Sequence, residues 1–125
     1  MMGYLVVFVG AGVGGAIRHA MNIWVAQLMG THFPWHTFVI NVSGSLVMGL
    51  LAAYFALKGD ASQHWRLFFT TGILGGYTTF SAFSLDTILL YERGQTGLAA
   101  LYVLASVAIS VGGLVAGLAV VRHFS

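Results

Sequence analysis

The chain has 125 residues, 58% of them hydrophobic and 6% charged, with a net charge of +2 and a mean hydropathy of +0.90. A soluble domain carries about 25% charged residues, and five Lys/Arg with three Asp/Glu cannot make a water-facing shell, so the composition excludes a soluble globule and points to an integral membrane protein. The basic pI of 9.3 comes from scattered cations (Arg18, Lys58, Arg66, Arg93 and Arg122), not from a basic stripe, which excludes nucleic acid as a partner.

A helix needs about 20 mostly apolar residues to cross the hydrocarbon core, and four segments qualify. The first runs over residues 4–29. It has no basic flank and no small-x-small cleavage site, so it reads as a retained span and not a signal peptide. Gly10 and Gly14 lie four apart, a spacing that lets membrane helices approach closely, although such spacing is also common in a chain with 17 glycines. Arg18, one further turn along, is the charge set deepest in this span. It can snorkel to the interface, pair with Asp86, or draw anions into a vestibule. His19 beside it has no evident role.

The second span covers residues 34–57 and opens on Pro34, whose missing N–H is harmless in a first turn. Thr37, Asn41 and Ser45 are four apart and share one face. Each can donate a hydrogen bond, and none is a carboxylate. A serine or threonine in a membrane helix can instead bond its own i−4 carbonyl. The Asn41 amide cannot be satisfied that way and needs either a neighbouring helix or a ligand.

The third span, residues 65–91, holds the most informative run: Gly-Ile-Leu-Gly-Gly-Tyr-Thr-Thr-Phe-Ser-Ala-Phe-Ser at 72–84. Paired glycines and consecutive threonines are poor formers of continuous helix. The expectation is a break over residues 75–78, with unpaired carbonyls at mid-membrane, since irregular backbone survives there only inside protein or beside a cavity. A glycine kink filled by a neighbouring helix is the other reading. Phe80 and Phe83 share a face beyond the break, amid Thr79, Ser81 and Ser84. Their ring edges carry partial positive charge and can steady an anion, although phenylalanines at this spacing also serve as core. Asp86 near the end of the span reads as an interfacial or paired charge.

The fourth span covers residues 97–121. Tyr102, Ser106 and Ser110 repeat the four-residue donor spacing, and Gly113 with Gly117 repeats the small-residue spacing. Two donor-rich stripes suit an anion path better than a cation path, which would present carbonyl or acidic rings.

The connectors are short, which places the function inside the bilayer. Enzyme chemistry has no support: there is no acid pair, no nucleophile–base motif, no phosphate loop and no metal-ligand spacing among the histidines. Cysteine is absent, which removes disulfides and thiolate sites. Gly10-Ala-Gly-Val-Gly-Gly15 lies in a membrane span without a βαβ context and is no dinucleotide site. Positive charge sets topology; Lys58, Arg66 and Arg122 fall on one side against Arg93 and Arg18. So weak a bias fits a chain that inserts both ways, and an antiparallel homodimer.

Gly-Gly-Tyr-Thr-Thr-Phe-Ser-Ala-Phe-Ser at 75–84, Asn41 in Phe-Val-Ile-Asn-Val-Ser-Gly, and Gly14-Gly-Ala-Ile-Arg18 together resemble the Fluc/CrcB fluoride channel family across essentially the whole chain. The resemblance implies an all-α membrane protein of four helices, the third broken, assembled as an antiparallel dual-topology homodimer with two pores. It implies passive export of fluoride across the cell membrane. Asn41, Phe80 and Phe83 would then line the path, with Thr37, Ser81, Tyr102, Ser106 and Ser110 completing a polar track. The backbone carbonyls of Gly75 and Thr78 from both subunits would hold a central structural sodium ion (Na+), and Arg18 would match the family's first-helix arginine. Ala82, where a hydroxyl is common, and Asp86, where glutamate is frequent, depart from the pattern and leave the polar lining of the third helix open. The rival class is a small four-helix, dual-topology cation or drug antiporter. That class needs a membrane-embedded acid in its first helix, where this chain has only Arg18.

Overall fold

Four membrane-length helical spans make up the computed structural model, which describes residues 1–57 and 63–124. Helices α1 (Met2–Met29) and α2 (Trp35–Leu57) form the first two. The third is composite. It begins as α3 (Gln63–Arg66), continues as a π-helical stretch over Leu67–Leu74, returns to α geometry in α4 (Gly75–Tyr77), and resumes beyond Thr79 as α5 (Phe80–Glu92). Helix α6 (Thr96–His123) is the fourth span, and no strand occurs among the described residues. The all-α architecture with an interrupted third crossing is therefore as expected. The connector that carries Lys58, residues 58–62, lies outside the described residues, and so does its share of the charge count.

Local chemistry sets the ends. Gly30 stops α1 with φ +81°, a left-handed conformation costly for any residue with a Cβ. Between α5 and α6, Gly94 also has φ +81°; its N–H bonds the Tyr91 carbonyl at 3.0 Å, and the Gln95 N–H bonds that of Leu90 at 3.0 Å. That pair of bonds is a Schellman stop, which satisfies carbonyls the helix leaves open and turns the chain tightly into α6.

Glycines act chiefly through packing. A Cβ on Gly10 would sit 2.8 Å from the Phe68 carbonyl oxygen and 2.9 Å from the Cα of Gly72, and one on Gly14 would collide with the Ile73 carbonyl. Gly76 faces the Ala11 backbone in the same way, so α1 lies directly against the π-helical stretch and α4. On the other side, α2 and α6 pack through Gly49 against Leu114 and Gly117 against Leu46, where a Cβ would be 2.5 Å from the carbonyl oxygen. Gly113 has only ordinary contacts, the nearest at 3.7 Å, so of the fourth-helix pair Gly117 alone is required for close approach.

The position of the break differs from the sequence expectation. Gly75 and Gly76 remain helical, and the interruption falls on Thr78 (φ −79°, ψ 157°) and Thr79 (φ −150°, ψ 121°), both extended. Of the pair, Gly76 is needed for contact with the Ala11 backbone of α1, whereas Gly75 meets only the Thr70 carbonyl; the chain leaves the helix at the threonines, where the Thr79 backbone finds its partners in the Asn41 side chain of α2.

Two small cores hold the bundle. Ile40, Leu74 and Tyr77 form one, and Leu90, Ala99 and Tyr102 form the other with Phe33, Phe38 and Phe83 against it. Large side chains such as Phe8, Trp24, Leu28 and Leu104 stay exposed. In water that surface would be a severe liability; in lipid it is the solvated face.

Candidate ion pathway

The site is organised by Asn41. Its Oδ1 accepts from the Thr79 N–H at 2.9 Å and its Nδ2 donates to the Thr79 carbonyl at 3.1 Å. An amide turned the other way would set donor against donor and acceptor against acceptor, so its orientation is fixed by these bonds. One Nδ2 hydrogen is left over. Of the two readings of Asn41, the interhelical hydrogen bond is the one present, and the second Nδ2 hydrogen has no partner among the described residues.

The clamp redirects the backbone. In a continuous helix the Thr79 N–H would go to the Gly75 carbonyl, and here it goes to Asn41. The Ala82 N–H, which would go to Thr78, bonds the Thr79 side-chain oxygen at 3.2 Å, so that Thr79 caps α5. The diverted donors leave the Gly75 and Thr78 carbonyls without their usual partners. Thr79, which the sequence reading names only as a neighbour of Phe80, is the residue through which α2 holds the interrupted third span. Its N-cap chemistry, a hydroxyl immediately before a helix restart, was the available signal.

Two cavities flank the clamp, and Thr79 lines both. The first, about 350 Å³, collects Asn41 and Ser45 from α2, Phe80 and Phe83 from α5, and Ser106 and Ser110 from α6. The Ser106 and Ser110 hydroxyls are buried and have no hydrogen-bond partner. Ser84 and Thr87 behave differently, bonding the carbonyls of Phe80 and Phe83 at 3.0 and 2.8 Å. The back-bonding alternative therefore holds for those two and fails for the α6 serines, which leaves two donors at the cavity wall unspent. The Phe80 and Phe83 rings are tilted at 46° with centroids 5.7 Å apart. Phe83 also packs on Tyr102, whereas Phe80 is 78% exposed on a single chain.

The second cavity, about 480 Å³, brings together Arg18 and His19 from α1, His36 and Thr37 from α2, and Ser81 from α5. Ser81 also contacts the Thr79 hydroxyl at 3.3 Å. Tyr102 lines neither cavity. It is fully buried in the core and donates to Asp86 Oδ2 at 3.3 Å, a long contact, so Asp86 is held by this phenol and not by Arg18. The predicted track is consequently split: Asn41, Phe80, Phe83, Ser106 and Ser110 lie on one side of the clamp, Thr37, Ser81 and Arg18 on the other, and Tyr102 sits in the core beside them.

A family profile described as CrcB-like protein, Camphor Resistance (CrcB), matches residues 5–118. Among curated relatives, the fluoride-specific ion channel FluC 2 of Nitrobacter hamburgensis is 65% identical over 99% of this chain and 100% of its own length. The fluoride-specific ion channel FluC of Rhodopseudomonas palustris (strain BisB5) is 67% identical over 97% and 98%. That of Agrobacterium fabrum is 44% identical over 98% of each.

Proposed function

This chain belongs to the CrcB-like family, and from that premise we propose that it is a fluoride-selective membrane channel that lets fluoride leave the cell passively. The observation that carries the mechanism is the pair of buried, unpartnered hydroxyls on Ser106 and Ser110 in the same cavity as Asn41, Phe80 and Phe83. Fluoride is small and strongly hydrated, so a pore must replace its water with many donors while avoiding a deep trap. Arg18, Thr37 and Ser81 receive the hydrated ion. The spare Asn41 hydrogen, the phenylalanine edges and the serine hydroxyls then accept it in turn, without a fixed cation to hold it.

The working unit is an antiparallel homodimer. Supporting this, the freed Gly75 carbonyl belongs to an exposed residue, and Ser81, Ser84 and Phe80 are exposed on the single chain. Polar groups and broken backbone at that depth require a protein neighbour. A sodium ion fits the Gly75 and Thr78 carbonyls, since hard cations take oxygen ligands and these two lack their helical donors. Doubled across the dimer, the pair would hold it. When bound, the ion supplies positive charge at mid-membrane, which offsets the cost of an anion there. The antiporter reading has no counterpart, since α1 contains no Asp or Glu.

Purified protein in vesicles is expected to release fluoride quickly in the absence of a proton gradient and to retain chloride. Equal chloride release, or release only down a proton gradient, would contradict the assignment.

A further inference from the structure

The interrupted third span is tied to α2 on both sides of the break. Asn41 holds the chain just after it. Just before it, the Tyr77 hydroxyl lies 2.9 Å from Ser43 Oγ, across 34 residues of sequence. Ser43 spends its single hydrogen on the Ile40 carbonyl at 3.2 Å, so the phenol is the donor. Tyr77 is buried against Ile40 and Leu74 and lines neither cavity. A phenylalanine would fill the same core without a hydroxyl that must find a partner away from water. The hydroxyl adds direction, not burial.

That direction bears on two peptide groups. Tyr77 ends α4, a helix of three residues and too short to hold its own shape. The Gly75 and Thr78 carbonyls, which lose their helical donors to Asn41 and to the Thr79 side chain, lie within two residues of it. Packing is close on both flanks. A Cβ on Gly14 of α1 would sit 2.9 Å from the Tyr77 nitrogen, and one on Gly44 of α2 would collide with the Thr78 methyl and lie 3.2 Å from the Tyr77 ring. These contacts fix where the segment sits, and the bond at the far end of the Tyr77 side chain resists its rotation.

We propose that Tyr77 is a positioning residue for the cation site: its bond to Ser43 keeps the Gly75 and Thr78 carbonyls prearranged for sodium. The inference rests on the reading of those carbonyls as a sodium site and extends it to a side chain that itself touches no ion. A site that must first be ordered binds its ligand more weakly, because the competent arrangement is only fractionally populated. Without the phenol bond, α4 samples other rotations and the apparent sodium affinity falls. A strut that only adds stability would act equally with and without sodium, which separates the two roles.

The test is the melting temperature of the full-length protein in detergent, equilibrated over a range of sodium concentrations with N-methylglucamine as the replacing cation at constant ionic strength. A cation bound only by the folded protein raises the melting temperature once its concentration exceeds the dissociation constant, so the onset of the rise reports the affinity. In Tyr77→Phe the onset should move up by about three- to tenfold, the range for one interhelical hydrogen bond in a membrane. Ser43→Ala removes the same bond from the other end, should shift the onset alike, and serves where Tyr77→Phe does not fold. The double variant should shift it no further than either single one, since only one interaction is lost. Fluoride efflux from Tyr77→Phe vesicles should recover toward wild type as sodium is raised. A melting temperature lowered equally at every sodium concentration, with the onset unmoved, would overturn the proposal and leave the sodium site standing. A wild-type melting temperature indifferent to sodium would overturn the sodium reading and this one together, while fluoride efflux from the same protein would still uphold the channel.

Discussion

Replacing Asn41 by aspartate separates the two jobs of that side chain. Aspartate keeps an oxygen for the Thr79 N–H, now at 2.9 Å, but sets its second oxygen where Nδ2 stands 3.1 Å from the Thr79 carbonyl. One interhelical hydrogen bond is lost, worth about 0.6 to 1.7 kcal/mol inside a membrane. The carboxylate also brings a negative charge to the wall of the cavity that the anion crosses. At roughly 5 Å and an effective dielectric of about 20, the repulsion is about 3 kcal/mol, or about two orders of magnitude in occupancy. Flux should therefore fall about a hundredfold, and the fold should lose stability through the missing bond and the acceptor-to-acceptor contact with the Thr79 carbonyl while the protein still assembles. Fluoride efflux from vesicles measures the first, and the size-exclusion profile in detergent the second. Efflux within threefold of wild type for Asn41→Asp, with Asn41→Ala impaired, would show that Asn41 acts only as a clamp and that no ion passes near it.

Phe80→Ile removes one ring edge from a side chain that is 78% exposed on the single chain, so fluoride efflux should fall at least about tenfold with thermal stability unchanged. Ser106→Ala with Ser110→Ala deletes hydroxyls that make no internal bond, so stability should stay within about 1 kcal/mol while efflux drops several-fold; a large loss of stability would place those hydroxyls in a structural network. Gly117→Ala should destabilise by about 1–3 kcal/mol through overpacking against Leu46 and Leu50, whereas Gly113→Ala should be nearly neutral, which thermal melts in detergent can compare. A tag on the C-terminus should be accessible from both sides of the membrane; strictly one-sided labelling would argue against the antiparallel dimer.

Much of this arrangement was legible in the residues. Length and hydropathy give the four spans, and four-residue spacing brings Asn41, Ser45, Ser106 and Ser110 to one cavity because a helix face repeats at that interval. The exact break was not legible, because it is decided by a partner 38 residues away: the Asn41 amide satisfies the Thr79 backbone, while Gly76 stays helical against the Ala11 backbone of α1. Spacing also failed to separate Tyr102 from the serines below it. A phenol large enough to fill the core is buried there against Leu90 and Phe83, and only the smaller hydroxyls reach the cavity. The π-helical stretch at Leu67–Leu74, in which the Gly75 N–H reaches back to Thr70, has no sequence signature that we can identify.

The most direct test of the account is the reversal potential of the current across a planar bilayer containing the protein, with opposed fluoride and chloride gradients at equal pH. A current that reverses at the fluoride equilibrium potential is the predicted result. Reversal at the chloride potential, or no current until a proton gradient is imposed, would contradict it.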